Sequence, residues 1–326
     1  MEQSFRYFAL DATADFGGEI ARAGGYALAK REERVFEDGE YKVRPLETVA
    51  GCDVYVVQSL HAGPQTSADD KLNRLLFFIG ALKDSGAARV TAVAPYLCYA
   101  RKDRRTKWQD PLTLRYVAAL FEAVGTDVIV TMDVHNDAAF ENAFRCRAVA
   151  LTAAPLFVRY AMALDEKKLC VVSPDPGGVK RAQLFREALE KACGLEIARG
   201  YVEKRRSAGA VSGDLFAGDV NDATALIVDD LVASGGTLLR AARAARLQGA
   251  RRVIALATHG LFMAGASETL DDAAIDRIAV TDAVPPFRLA SNPVLKKIDV
   301  LGAAGVFAQA IQRLHRNERL DDLLAY

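Results

Sequence analysis

Residues 226–238 read LIVDDLVASGGTL. An apolar run meets two adjacent carboxylates, Asp229 and Asp230, and Ser234-Gly235-Gly236-Thr237 then opens what reads as a helix. Carboxylates and phosphates repel. A site that uses the whole segment therefore needs a ligand with hydroxyls at one end and a phosphate at the other, with a cation between. Glycines let main-chain amides approach an anion, and a helix N-terminus favours negative charge. Paired carboxylates at the end of a strand accept hydrogen bonds from vicinal hydroxyls, and ligands of open α/β sheets bind at such ends. The ligand implied is a sugar phosphate. Taken alone, S-G-G-T reads better as a Ser or Thr helix cap after a glycine turn, with the aspartates merely solvated. The full spacing favours the sugar phosphate.

Four further clusters carry chemistry. Arg101, Lys102, Arg104 and Arg105 crowd the stretch YARKDRR, and guanidinium forks match the oxygens of a polyphosphate; the other reading is a solvated charge run. In FEDGE, residues 36–40, Phe36 could stack on an adenine while Asp38 and Glu40 read its edge or its ribose. The same letters describe an Asp-Gly turn in an exposed hairpin. His135 and Asp175 are expected at strand ends, one in each half, where they can converge on one Mg²⁺, although a strand-end histidine is more often a plain hydrogen-bonding group. DPGG, residues 175–178, offers a second phosphate turn before a helix. In VEKRRSAGAVSGD, Lys204, Arg205 and Arg206 precede small residues, which predicts a mobile lid closing over transferring phosphates or, again, a solvated charge run. His315 reads as surface, and His61 and His259 as pocket lining.

The elements that must position these residues alternate. Strands are expected over 52–59, 88–96, 127–135, 168–175, 224–230 and 251–260, and helices over 71–86, 111–125, 177–194 and 235–250. This is an α/β chain with parallel sheets flanked by helices. GAARVTAV from Gly86 and GARRVIAL from Gly249 each follow a helix and open a strand. Their offset of 163 residues is half of the 326-residue chain, which points to duplication. The stretch 135–157 has the least pattern and holds the boundary. Lys+Arg and Asp+Glu both number 42, so no bulk field draws nucleic acid or an anionic membrane. The longest apolar run, LLFFIGAL, is too short to span a bilayer. Five scattered cysteines without a C-x-x-C pair suggest neither a zinc site nor a disulfide framework and point to the cytoplasm.

Residues 226–238 resemble the phosphoribosyl diphosphate motif of phosphoribosyltransferases and of ribose-phosphate pyrophosphokinases. FEDGE, PYLCYARKDRR (95–105), TMDVHN (131–136), VVSPDPGGVKRA (171–182), EKRR (203–206) and GDV (218–220) resemble segments of the second family, in the same order. The resemblance implies two tandem phosphoribosyltransferase-like (Rossmann-like) domains: an ATP-side domain over 1–152, completed by 303–326, and a ribose 5-phosphate domain over 153–302. It implies diphosphoryl transfer from ATP to O1 of ribose 5-phosphate, giving 5-phosphoribosyl 1-diphosphate and AMP. Lys204 and Arg206 are then catalytic. Phe36, Asp38, Glu40, Arg101, Lys102 and Arg104 meet ATP. Asp229, Asp230, Ser234, Gly235, Gly236 and Thr237 hold ribose 5-phosphate, and His135 and Asp175 hold Mg²⁺. The implied assembly is a homo-oligomer built from dimers, such as a hexamer, with the FEDGE loop serving a neighbouring subunit's ATP.

Some residues depart from the family pattern. Ala233 stands where most members have aspartate, and Lys102 where glutamine is usual. Ala50 and Ala304 replace an arginine and a small hydroxyl residue of a phosphate-and-ADP regulatory site, so weak or absent phosphate activation is expected. Two rival readings are a base-transferring phosphoribosyltransferase and a non-catalytic regulatory partner of a synthetase.

Overall fold

The computed structural model describes residues 4–207 and 210–324, without the side chains of 204–207 and 210–214. It divides into two compact units, one containing residues up to Thr152 together with Ala303–Ala325, the other Ala153–Gly302. The first unit runs β1 (Phe5–Ala9), α1 (Ala14–Gly24), β2 (Arg31–Val35), β3 (Tyr41–Pro45), β4 (Asp53–Val57), α2 (Ala68–Asp84), β5 (Arg89–Val93), α3 (Thr113–Ala123), β6 (Val128–Met132), α4 (Asp137–Ala143) and β7 (Arg147–Leu151). Its parallel sheet has the order β1-β4-β5-β6-β7, and β2 and β3 form a separate antiparallel ribbon. Every residue of β4 and β6 is buried, as expected for parallel strands covered on both faces. Successive β1 side chains go to opposite faces: Phe8 packs edge-on against Phe78 of α2, and Tyr7 donates to the Gly17 carbonyl of α1.

The second unit runs α5 (Ala154–Ala163), β8 (Leu169–Ser173), α6 (Val179–Cys193), β9 (Ala198–Ser207), β10 (Ala210–Gly218), β11 (Thr224–Val232), α7 (Gly236–Leu247), β12 (Arg252–Gly260), α8 (Ala266–Leu270), β13 (Arg277–Thr281) and β14 (Ile298–Leu301). Its sheet has the order β10-β9-β8-β11-β12-β13-β14, parallel except for β9 with β10. The chain steps outward in one direction from β8 and in the other from β11, so the crevice between their carboxyl ends is the topological switch point.

Three expectations need correction. The stretch 135–157 holds α4, β7 and the start of α5; α4 has only seven residues, too few for a helical period to register. The segment expected as a lid loop is largely paired strand, β9 with β10, interrupted by a register shift between Val211 and Asp214. Helix α2 starts at Ala68, before the expected residue 71, because Ser67 and Asp70 form a capping box, each accepting the other's amide at 3.0 Å.

The internal repeat has a structural counterpart in each unit. Gly86 and Gly249 have φ of 84° and 89°. Their amides donate to Lys83 and Arg246 at 2.9 and 3.0 Å, and those of Ala87 and Ala250 to Leu82 and Ala245 at 3.1 and 3.0 Å. This is a left-handed helix stop of the kind glycine permits. The Lys83 and Arg246 side chains reach Asp127 and Asp276 at 3.0 and 2.5 Å, and these aspartates accept the amides of Val90 and Val253 at 2.7 and 2.6 Å. One clamp of helix end, strand and neighbouring aspartate thus occurs in both units, which aligns β4–α2–β5 with β11–α7–β12.

The last helix, α9 (Ala304–His315), packs on α1 through Phe307 against Phe16, and the Tyr26 hydroxyl donates to the Ala308 carbonyl at 2.6 Å. His315, expected at the surface, is instead its anchor: Nδ1 lies 2.7 Å from the carboxylate of fully buried Asp53. Arg89 grips the same carboxylate with two bonds of 2.7 and 2.6 Å, and the Tyr55 hydroxyl donates to it at 3.1 Å. Asp53→Ala would leave Arg89 without its partner, and urea unfolding should show a loss of about 3–5 kcal/mol. A loss below about 1 kcal/mol would contradict this network's role.

Candidate active site

In the second unit, β11 pairs with β8 only over Thr224–Ile227, whereas its pairing with β12 continues to Val232. The last residues of β11 therefore overhang the end of β8. Asp229 and Asp230 lie in this overhang, within the strand and not at its expected end. Asp230 is buried and Asp229 half-buried. Asp229 accepts the Asp230 amide at 2.9 Å. Burial first, then the hydrogen bond and negative charge of Asp230, push the Asp229 carboxyl up to about 8, so near neutrality the pair holds a proton between two carboxylates. Arg181, on α6, lies 3.6 Å from Asp230. Arg181 is a site residue that the sequence motifs alone do not assign. Its one signal was a basic residue in the first turn of the helix that follows β8.

Beyond Val232 the chain turns sharply into α7. Gly235 is the N-cap, at φ 81°, and a Cβ there would come within 2.7 Å of Leu270. No side chain caps this helix, so the Ser or Thr cap considered above is not formed. The amides of Gly236, Thr237 and Leu238 belong to the first turn and have no intrahelical acceptor. The loop is fastened from behind, where Met263 donates to the Ala233 carbonyl at 2.9 Å and Phe262 to the Val232 carbonyl at 3.0 Å. Ser234 is exposed, and Thr237 is half-buried with Arg240 3.5 Å from its hydroxyl. The equivalent helix of the first unit, α2, is closed by its Ser67–Asp70 capping box. The repeat thus has one stoppered helix end and one open to an anion.

The DPGG turn behaves differently from its expectation. Asp175 caps it, with Oδ1 accepting the amides of Gly177 and Gly178 at 2.9 and 3.1 Å. Those amides are already occupied, so the turn is not a second open phosphate site. Asp175 is half-buried just beyond β8.

In the first unit, Arg101, Lys102 and Arg104 are exposed in the connection from β5 to α3. Lys102 lies 3.7 Å from Asp110. Bonds from the Thr106 hydroxyl and from the Thr106 and Lys107 amides hold the Asp110 carboxyl down at about 2. Among the described residues no carboxylate pairs with Arg101 or Arg104. His135 is exposed three residues beyond β6, not at its end. Its neighbour Asn136 caps α4 and donates to Asp103 at 2.9 Å, which ties the histidine's turn to the basic loop. Phe36, Asp38 and Glu40 are exposed in the turn joining β2 to β3. Phe36 donates to the Glu40 carbonyl at 2.8 Å, Gly39 has φ 90°, and the Arg34 guanidinium sits 4.8 Å from the Phe36 ring centre. Lys204 and Arg206 are on β9, but their side chains lie outside the described residues. His61 and His259 are both buried.

Among the described residues no group of three or more His, Cys, Asp or Glu side chains is set to hold a metal. That donor set does not fit an all-protein cage. Mg²⁺ in its usual form keeps several waters and arrives on substrate phosphates with one or two carboxylate ligands, and Asp175, half-buried just beyond β8, is a carboxylate of that kind.

The Asp229 carboxyl makes the stability of the ligand-free protein depend on pH. Its folded pKa lies above the ordinary carboxylate value, so the native state retains a proton that the unfolded chain releases. Its contribution to stability is complete below about pH 4 and is lost as pH rises to about 8, at up to about 1.4 kcal/mol per pH unit. Asp229→Asn should therefore gain stability over the parent across this range in urea unfolding of the ligand-free protein. A difference that does not change with pH would refute the shared proton.

Comparison with known proteins identifies the family. Residues 5–125 match the N-terminal domain of ribose phosphate pyrophosphokinase, and residues 214–325 the phosphoribosyl synthetase-associated domain. The ribose-phosphate pyrophosphokinase of Clostridium perfringens is 34% identical over 325 residues, and that of Caldanaerobacter subterraneus 36%, each alignment covering 98% of both chains. The crystal structure of phosphoribosylpyrophosphate synthetase from Mycobacterium smegmatis superposes with a TM-score of 0.85 at 31% identity, over 97% of this chain and 100% of that one. Similarity of this extent, carried by both matched domains and by the whole length of the fold, makes the chain a member of the ribose-phosphate pyrophosphokinase family.

Proposed function

We propose that the protein transfers the diphosphoryl group of ATP to O1 of ribose 5-phosphate, giving 5-phosphoribosyl 1-diphosphate and AMP. The observation that carries this reading is the uncapped start of α7 beside the Asp229–Asp230 pair. The 5-phosphate occupies the amides of Gly235, Gly236 and Thr237 with the Ser234 and Thr237 hydroxyls, and Asp229 and Asp230 accept hydrogen bonds from the ribose hydroxyls. Arg101, Lys102 and Arg104 bind the ATP phosphates. Phe36 stacks on the adenine, with Asp38 and Glu40 at its polar edge or ribose. O1 attacks the β-phosphorus in line and AMP leaves, so positioning and charge neutralisation carry the rate. Lys204 and Arg206 stabilise the transferring group and the leaving oxygen. His135 and Asp175 would be the protein's ligands to Mg²⁺, which would supply charge neutralisation at the phosphates. The ATP-side residues belong to 1–152 with 303–326, the sugar-phosphate residues to 153–302, and the working form is a homo-oligomer built from dimers. The cytoplasm is the proposed place of action. No helix among the described residues is long and apolar enough to cross a membrane.

Incubation with ATP, Mg²⁺ and ribose 5-phosphate should release AMP and 5-phosphoribosyl 1-diphosphate in equal amounts. No AMP, or consumption of 5-phosphoribosyl 1-diphosphate on adding a nucleobase, would overturn the reading. Lys204→Ala should lower kcat by about 10²-fold or more, as removal of a charge-stabilising donor does; unchanged turnover would remove Lys204 from the machinery. With Ala50 and Ala304 at the regulatory positions, titration with inorganic phosphate should leave the rate nearly flat, and strong activation would contradict that.

A further inference from the structure

The ribbon β2–β3 carries Phe36, Asp38 and Glu40 at its tip, and a two-stranded ribbon is marginally stable by itself. Its outward side chains form a ladder, in which Glu32 meets Lys42 at 3.3 Å and Arg44 at 2.5 Å. On its inward side Val43 is buried in the core with Tyr41 packed beside it, and one carboxylate gathers the polar groups. Glu33, whose side chain is only 5% exposed, accepts the Asp11 amide at 2.7 Å and the Arg31 guanidinium at 2.5 Å through Oε1. Its Oε2 accepts the Tyr41 hydroxyl. Arg31 itself pairs with the Asp11 carboxylate at 2.5 Å, and the Arg74 guanidinium of α2 lies 4.5 Å from the Tyr41 ring centre.

Glu33 therefore joins three pieces: its own strand through Arg31, the opposite strand through Tyr41, and the turn that follows β1 through the Asp11 amide. Asp11 stands just past the carboxyl end of β1, on the rim where parallel sheets bind ligands. Phe36 is three residues further along the chain, about 10 Å at strand rise, so a small tilt at Glu33 becomes a larger displacement at the tip. We propose that Glu33 is a positioning residue for nucleotide recognition, locking the pose of the ribbon that presents Phe36, Asp38 and Glu40. This rests on the reading that those three residues meet ATP. Glu33 itself touches no substrate. A rigid reader binds more tightly than one that must be ordered at each encounter, so the effect falls on ATP affinity and spares the chemical step.

The test is steady-state kinetics on the full-length protein in its natural assembly, with thermal unfolding alongside. Glu33→Gln keeps the shape but weakens the bonds to Arg31 and the Asp11 amide. Its KM for ATP should rise about fivefold or more, with kcat and the KM for ribose 5-phosphate within about twofold. Tyr41→Phe keeps the ring under Arg74, loses one bond to Glu33, and should show a smaller rise of the same kind. Phe36→Ala reports on the underlying reading: an unchanged KM for ATP would mean that the tip does not meet the nucleotide. If Phe36→Ala raises that KM while Glu33→Gln and Tyr41→Phe leave it unchanged, the positioning role is refuted. A drop in kcat and melting temperature for Glu33→Gln without a change in the KM for ATP would also refute it, since that is the mark of a purely structural tie.

Discussion

Two carboxylates on adjacent residues, drawn out of water at the overhanging end of β11, set the terms for the rest of the site. They cannot both be ionised there without an opposing charge. Arg181 supplies part of it and a retained proton another part. Six residues on from Asp230, the start of α7 presents the opposite preference, with bare amides and the positive end of a helix dipole. The segment therefore has two poles, one that repels anions and accepts hydroxyls, and one that attracts anions. Few small metabolites besides sugar phosphates carry both matching groups at such spacing.

The fold creates this polarity by subtraction. Strand β8 stops short of β11, which leaves Asp229 and Asp230 beyond its edge. Gly235 takes a left-handed conformation against Leu270 and has no side chain with which to cap α7. The duplicated architecture makes the omission plain, because both units share the same clamp at the other end of the equivalent helix. In the first unit Ser67 and Asp70 close the helix start, and in the second nothing does. An uncapped first turn costs roughly 1 kcal/mol of helix stability, and a bound phosphate can offset that cost.

Much of this was legible in the sequence. The alternation of apolar runs and helical periods located the central strands and the helices between them, and the Asp-Asp-to-S-G-G-T spacing marked the carboxylate pair and the glycine turn into α7. Other features were not legible because they depend on partners far along the chain. That β11 continues past Asp230 follows from its pairing with β12, which a single-strand pattern cannot express. That the DPGG amides are occupied follows from the rotamer of Asp175. His315 read as surface because Asp53, its partner, is 262 residues away. Glu33 lay inside the charged run REERV, and its role emerges only when Asp11 and Tyr41 are brought to it.

The most direct test of the account is a crystal structure with ribose 5-phosphate bound. The account predicts the phosphate within hydrogen-bonding distance of the Gly235, Gly236 and Thr237 amides, about 3 Å, and the ribose hydroxyls on the Asp229 and Asp230 carboxylates. A well-ordered sugar phosphate with its phosphate anywhere else, or with its hydroxyls away from both aspartates, would contradict it.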